Sequence, residues 1–262
     1  MLWEKISSYD FKSCIEKSGS VCVLPIAVLE KHGDHLPLGT DMYIVRALAE
    51  KAAEKSYSIV FPYYFLGQIA EAKHVDGTIA ATHGLIMDAL LEMCDEIGRN
   101  GFTKIILLSG HGGNGHFLPF FAQQFPALNR SYAVYSCFAH NLKGEQLKAI
   151  REYSGEEDMG KHAGFLETSL MMYLNPELVS MDKVKASESD SMDRLKDIQS
   201  LDLFTGFNWY ANYPYHFAGN PMRASKENGE FIFNILLSNI VKIIDTVKAD
   251  KMSLKLIEEY RF

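Results

Sequence analysis

The chain divides into short, continuous apolar runs separated by longer stretches in which apolar residues recur at helical spacing. Val21-Cys22-Val23-Leu24-Pro25-Ile26 is nearly all apolar, as expected for a parallel strand covered on both faces. Pro25 has no N–H to give a ladder, which places it near the strand end. Ile44, Val45, Leu48 and Ala52 mark one face of a helix that starts near Asp41. Ser58 to Pro62 reads as a second strand, ended by its proline. His83 to Asn100 reads as a helix with Leu85, Ile86, Ala89, Leu90, Met93 and Ile97 inward, and Gly101 is its stop. Lys104 to Ser109 is the clearest strand, and a Gly-rich loop follows it directly. Further along, the pattern predicts a short helix over Phe117 to Phe125, a strand over Tyr132 to Cys137 and a polar helix over 141–153. A helix over His162 to Leu174 would turn Leu166, Leu170, Tyr173 and Leu174 inward. A long amphipathic helix over Glu227 to Val247 and a last one over 251–261 close the chain, and a short helical lead-in around 9–17 opens it.

Three stretches have no period. Residues 63–82 are aromatic and glycine-bearing, and connections of that length in compact domains are often functional. Met181 to Leu203 is charged and serine-rich. Thr205 to Pro221 is dense in aromatics and reads either as a substrate wall or lid or as a satellite cluster under a loop.

Strands alternating with helices predict βαβ units and a mostly parallel sheet. The expected fold class is therefore α/β, and the 262 residues fit one domain spanning 1–262. A formal charge of −7 argues against a general nucleic-acid binder. No apolar run approaches a bilayer span, and the first residues lack a signal-peptide pattern. The four cysteines are scattered without a CxxC pair, the usage of buried, reduced thiols in a cytoplasmic protein.

The candidate chemistry gathers around Glu30-Lys31-His32-Gly33-Asp34-His35-Leu36-Pro37-Leu38-Gly39-Thr40-Asp41, at a strand-to-helix turn. His111 stands in the Gly-rich loop after the next long strand, and His162 and Glu167 stand further on. Carboxylates and imidazoles without thiolates suit zinc, manganese or iron in a catalytic site. In parallel sheets, ligands bind beyond the carboxyl ends of the strands, where two of these pieces fall. Each has a plainer reading. Asp41 could cap its helix, and the His111 loop could be a tight turn or a phosphate cradle. Glu167 interrupts an apolar stretch, where an unpartnered carboxylate is costly. His162 and Glu167 are about 140° apart on an ideal helix, so they converge only if His162 lies in the turn before it.

The order and spacing resemble the creatininase (creatinine amidohydrolase) family. Pro25 to Asp41 resembles its first motif, with Ala27 at the usual small position and Asp34 where a proline is usual. Ser109-Gly110-His111-Gly112-Gly113-Asn114 resembles the second, and His162-Ala163-Gly164-Phe165-Leu166-Glu167-Thr168-Ser169 the third. The resemblance implies a three-layer αβα sandwich, a homohexamer and two divalent ions, zinc or else manganese or iron. It implies Glu30, Asp41 and His111 around one ion, and His32, Asp41 and Glu167 around the other, with Asp41 bridging. His162 would protonate the leaving nitrogen. Asn114 and loop N–H groups are expected to help hold an oxyanion.

Two departures stand out. Creatinine amidohydrolases carry a ligand glutamate where this chain has Gly113, so one ion is expected to be weakly held, water-filled or missing. The region resembling G-x-S-x-x-x-x-x-F-P-G-T, Gly67 to Thr78, has Ile69 for the serine and Val75-Asp76 for Phe-Pro. Both move the expected substrate away from creatinine. The reading is a metal-dependent hydrolase in which a metal-bound hydroxide cleaves a C–N bond of a small cyclic amide, formamide or similar substrate. The alternatives are hydrolysis of a cyclic ketone's C–C bond or a peptide bond on the same site, or a metal- or ligand-binding relative without activity.

Overall fold

The computed structural model describes residues 1–260. Four parallel strands form the sheet: β1 (Val21–Ile26), β2 (Ile59–Val60), β3 (Lys104–Ser109) and β4 (Ala133–Phe138), in the order β2-β1-β3-β4. The helices of the first half are α1 (Phe11–Lys17), α2 (Thr40–Lys55), α3 (His83–Arg99), α4 (Asn114–Gln123) and α5 (Phe125–Leu128). Those of the second half are α6 (Gly144–Ser154), α7 (Phe165–Leu174), α8 (Lys196–Gln199), α9 (Asn208–Asn212), α10 (Lys226–Ala249) and α11 (Met252–Glu259). The helix expected over 251–261 is thus found as α11, and residue 261 lies outside the described residues.

β1 and the interior of β3 are apolar because both sheet faces are covered there, whereas β4, at the edge, is only partly buried. Val21 and Val23 of β1, with Ile106 and Leu108 of β3, pack on α2, α7 and α10 through Leu48, Leu170 and Leu236. The intervening Cys22, Leu24 and Ile26, with Ile105 and Leu107, pack on α1, α3 and α4 through Ile15, Leu90, Ile97 and Phe121. The architecture is therefore helix–sheet–helix. Each fully buried aliphatic side chain contributes about 1.5–3 kcal/mol. Cys22 and Cys94 lie unpaired within the second core. No helix among the described residues is long and apolar enough to cross a membrane.

Pro25 sits inside the ladder, opposite Leu108. Its nitrogen has the same parity as that of Ala27, which donates toward Tyr64 on the β2 side. The ladder with β2 has ended at Val60 by then, so the missing N–H leaves no strand acceptor unpaired.

The strand order decides where a ligand can sit. From β1 the chain moves outward to β2, then returns to the other side of β1 to lay down β3 and β4. The loops leaving β1 and β3 therefore diverge and open a crevice at the carboxyl edge.

Candidate metal centre

The loop after β1 supplies Glu30 and His32, the first turn of α2 supplies Asp41, and the loop after β3 supplies His111. Glu167 comes from the first turn of α7, and His162 lies three residues before that helix begins. Carboxylates in a first helical turn face the positive end of the helix dipole, which suits Asp41 and Glu167. Asp41 caps nothing: its helix starts after Gly39 without a side-chain cap, and the carboxylate points into the crevice.

Ligand-type atoms of Glu30, Asp41 and His111 lie within 4.8 Å of one another, and so do those of His32, Asp41 and Glu167. A third such group contains Glu30, His32 and His162. Asp41 joins the first two, with Oδ1 3.1 Å from His32 Nε2 and Oδ2 3.1 Å from His111 Nδ1. Glu30 Oε1 is 2.7 Å from His111 Nδ1. His32 Nδ1–H donates to the Glu30 carbonyl at 3.3 Å, which turns Nε2 toward Asp41 and Glu167.

The residues fit divalent ions on two counts. Glu30 Oε1 and Asp41 Oδ2 are buried without a well-formed hydrogen bond and converge on the single His111 Nδ1, at 2.7 and 3.1 Å, a crowding of carboxylate oxygens that favours a cation between them. The donors are also all oxygen and imidazole nitrogen, as in catalytic zinc and manganese sites.

Burial and charge oppose each other throughout the cluster. Burial disfavours charge on His32, yet Asp41, joined by Glu167 and Glu30, outweighs it and raises the pKa to about 10. His111 is likewise buried, and Glu30 and Asp41 lift it well above the ordinary value. Burial also works against the Glu30 and Asp41 carboxylates, but the surrounding histidines hold both below their usual range. Glu167 goes the other way: burial lifts it to about 7, since its one cationic neighbour is His32 at 3.8 Å. His162 is pushed down to about 3 by burial and by His32, whose ring centroid is 4.2 Å away.

His162 Nε2–H donates to the Lys31 carbonyl at 2.7 Å, so Nδ1 holds the free lone pair. Asn114 is placed differently from the other expected residues. Its Nδ2 donates to Ser109 Oγ at 3.2 Å, and its Oδ1 accepts from the Gln68 N–H at 2.9 Å. It is fully buried and does not line the cavity, so its amide pins two loops together.

Three residues were not legible as site residues. His216 Nε2–H donates to Glu30 Oε2, and Trp209 Nε1–H donates to His216 Nδ1 at 2.8 Å. This chain fixes the tautomer of His216 and holds one Glu30 oxygen, leaving the other for the crevice. His216 does so at φ +54°, a conformation that L side chains rarely adopt and that clusters at functional sites. Glu71, from a 3₁₀ turn in the aperiodic 63–82 segment, is the third. The only signal for His216 was a histidine within the aromatic stretch, 186 residues from Glu30. That stretch does wall the site: Trp209 and His216 line the cavity, together with Phe138, His140 and Lys161. The cavity measures about 600 Å³.

The sequence profile of the creatininase family, described as creatinine amidohydrolase, matches residues 4–244. A creatinine amidohydrolase of Pseudomonas putida is 24% identical over 189 residues, covering 67% of this chain and 72% of that protein. A mycofactocin precursor peptide peptidase of Mycobacterium ulcerans (strain Agy99) is 25% identical over 234 residues, covering 85% and 83%. A manganese form of creatininase superposes with a TM-score of 0.79 at 20% identity, over 95% of this chain and 99% of that one. Profile, fold and donor set agree: the chain belongs to the creatininase family and is a metal-dependent hydrolase.

Proposed function

We propose that the chain is a binuclear amidohydrolase that cleaves the C–N bond of a small cyclic amide, a formamide or a similar substrate. The observation that carries this reading is Asp41, whose two oxygens face the two donor sets separately. Glu30, Asp41 and His111 would hold one divalent ion, and His32, Asp41 and Glu167 the other. Ions bound there would activate water and polarise a carbonyl.

His162 moves the proton. With Nε2–H fixed on Lys31, Nδ1 is its open base, and burial keeps the ring neutral at working pH. It would therefore accept at Nδ1 the proton that the attacking water gives up and then deliver that proton to the departing nitrogen, the two halves of general acid–base catalysis. The His216–Trp209 pair keeps Glu30 from rotating. Trp209 also sets its edge against the His162 ring, with centroids 5.8 Å apart.

A second amide reading, cleavage next to a larger or peptide-like substituent, is favoured by the cavity. Its roughly 600 Å³ lies within the range that encloses drug-sized ligands. Both named relatives act on amide-type C–N bonds by their descriptions, a creatinine amidohydrolase and a peptide peptidase.

The test is metal content by plasma mass spectrometry on protein purified without chelator, followed by a panel of cyclic amides, formamides and short peptides. About two ions per chain and turnover of an amide are expected. Asp41→Asn should lower the ion content and abolish turnover. Full ion content and full activity in Asp41→Asn would sink the site assignment.

A further inference from the structure

Gly113 leaves open a space that another residue fills. A Cβ at Gly113 would lie 2.3 Å from Glu71 Oε1 and 2.4 Å from His111 Nε2. Glu71 thus reaches, from a loop 42 positions earlier in the chain (113 − 71), into the volume that a side chain at 113 would occupy. Its carboxylate is 20% exposed, and Oε1 is 3.7 Å from His111 Nε2. That nitrogen is buried with no hydrogen-bond partner.

The other Glu71 oxygen is already fixed. Gln68 Nε2 donates to Glu71 Oε2 at 2.8 Å and also contacts the Gly113 carbonyl at 3.3 Å. Gln68 is held in turn, its Oε1 accepting from Ala70 N–H at 2.7 Å and its own N–H donating to Asn114 Oδ1 at 2.9 Å. Tyr210 OH donates to the Ala70 carbonyl, which ties this loop to the aromatic wall.

His111 has two nitrogens with different surroundings. Nδ1 faces Glu30 and Asp41. Nε2 faces Glu71. If Nδ1 binds an ion, Nε2 must carry the proton, and a carboxylate that accepts that proton fixes the ring and strengthens the ligand. The 3.7 Å separation is about 0.8 Å longer than a good N–H···O bond, within reach of a small carboxylate shift.

We propose that Glu71 is the positioning carboxylate of the His111 ion site, and that Gly113 is glycine because a Cβ there would press on both the Glu71 carboxylate and the His111 ring. The inference rests on the binuclear reading above. It gives this chain a carboxylate beside His111 from a different loop and in a different role, toward the imidazole rather than toward the ion.

The experiment is calorimetric titration of metal-stripped proteins with Mn²⁺ at neutral pH. Glu71→Ala should weaken one of the two sites by about 10–100-fold and leave the other as in the wild type. Glu71→Gln, whose single amide oxygen can face Nε2–H only by turning its NH2 toward the Gln68 NH2 donor, should recover part of that loss. Glu71→Leu, similar in size but without an acceptor, should show the full loss, which separates positioning of His111 from simple loop packing. Gly113→Ala, whose Cβ would press on the His111 ring as well as on Glu71, should weaken the same site at least as much as Glu71→Ala and leave the other as in the wild type. Wild-type affinity at both sites in Glu71→Ala would overturn this inference alone. Absence of Mn²⁺ uptake by the wild type would overturn the binuclear reading, and this inference with it.

Discussion

His162 presents Nδ1 as its open atom because the Lys31 carbonyl occupies Nε2–H at 2.7 Å. It belongs to neither donor set that contains Asp41. His162→Ala should therefore lower kcat by about 10²–10⁴ while ion content stays at the wild-type level; loss of ions in step with activity would recast it as a ligand. His216 makes the opposite prediction. His216→Gly relieves the positive φ but releases Glu30 Oε2. Ion affinity at the Glu30 set should fall by about 10–100-fold, measurable by competition with a chromogenic chelator, and the melting temperature should fall too, because a buried ring is lost and Trp209 Nε1–H is left without its partner. Of the residues in play, Glu30, His32, Asp41, His111, His162 and Glu167 could be picked out because several ligand types crowd into short spans. Glu71, Trp209 and His216 could not, since each is a single polar or aromatic residue in an aperiodic segment. Nothing local says which way such a residue points.

The elements were legible wherever burial forces a pattern. β1 and Ile105 to Leu108 of β3 are apolar because both of their faces are covered, and α3 and α10 follow the helical repeat, although Leu85, expected inward, is exposed at the start of α3. Boundaries moved where glycine and polar capping chemistry take over from periodicity. α4 begins at Asn114, ahead of the Phe117 that opens its apolar repeat, because the Gly-rich loop turns straight into helix. α7 begins at Phe165, and His162 falls in the preceding turn, where Ala163 takes φ +55° and donates its N–H to Glu167 Oε2 at 2.6 Å. That turn lets His162 and Glu167 face one crevice. α7 is positioned in turn by α10, which crosses it so closely that a Cβ at Gly229 would lie 1.9 Å from the Ser169 carbonyl oxygen. Gly229→Ala should force the two helices apart and destabilise by about 2–3 kcal/mol. At about 2–4 °C per kcal/mol for a chain of this size, the melting temperature should drop by roughly 4–12 °C. An unchanged melt would mean that the helices part at no cost.

For the whole molecule, ions and protons compete for the same cluster. Without metal, His32 has a folded pKa of about 10 against about 6.5 unfolded, so its stabilising contribution is complete below about pH 6.5 and is lost as pH rises through about 10. Glu30 and Asp41 are depressed, so theirs is present above about pH 4 and fades as pH falls through their folded values. Metal binding needs neutral imidazoles and releases their protons. Thermal melts of stripped and Mn²⁺-loaded protein should therefore separate further at pH 8.5 than at pH 6, and a gap independent of pH would count against these ligands. At a free ion concentration of about 100 times Kd, each bound site adds about 2.7 kcal/mol. The exposed apolar run of Leu201, Leu203, Phe204 and Phe207, 71%, 56%, 77% and 69% accessible, suits a subunit interface. Light scattering should accordingly give a mass well above the 29.5 kDa of one chain, as the expected homohexamer requires; a monomer at micromolar concentration would remove that expectation.

The α/β class, the parallel sheet, the place of the crevice at the strand ends and the ligand-type residues around it can all be read from the chain's pattern. Those properties follow from local periodicity and from residue types packed into short spans. Folding in three dimensions was needed to show that Asp41 faces both donor sets, that Asn114 pins loops and that His216 and Trp209 hold Glu30. It alone placed Glu71 in the space over Gly113. These outcomes depend on the direction of single side chains in aperiodic loops. That direction is fixed by packing between segments up to 186 residues apart, and no local pattern encodes it.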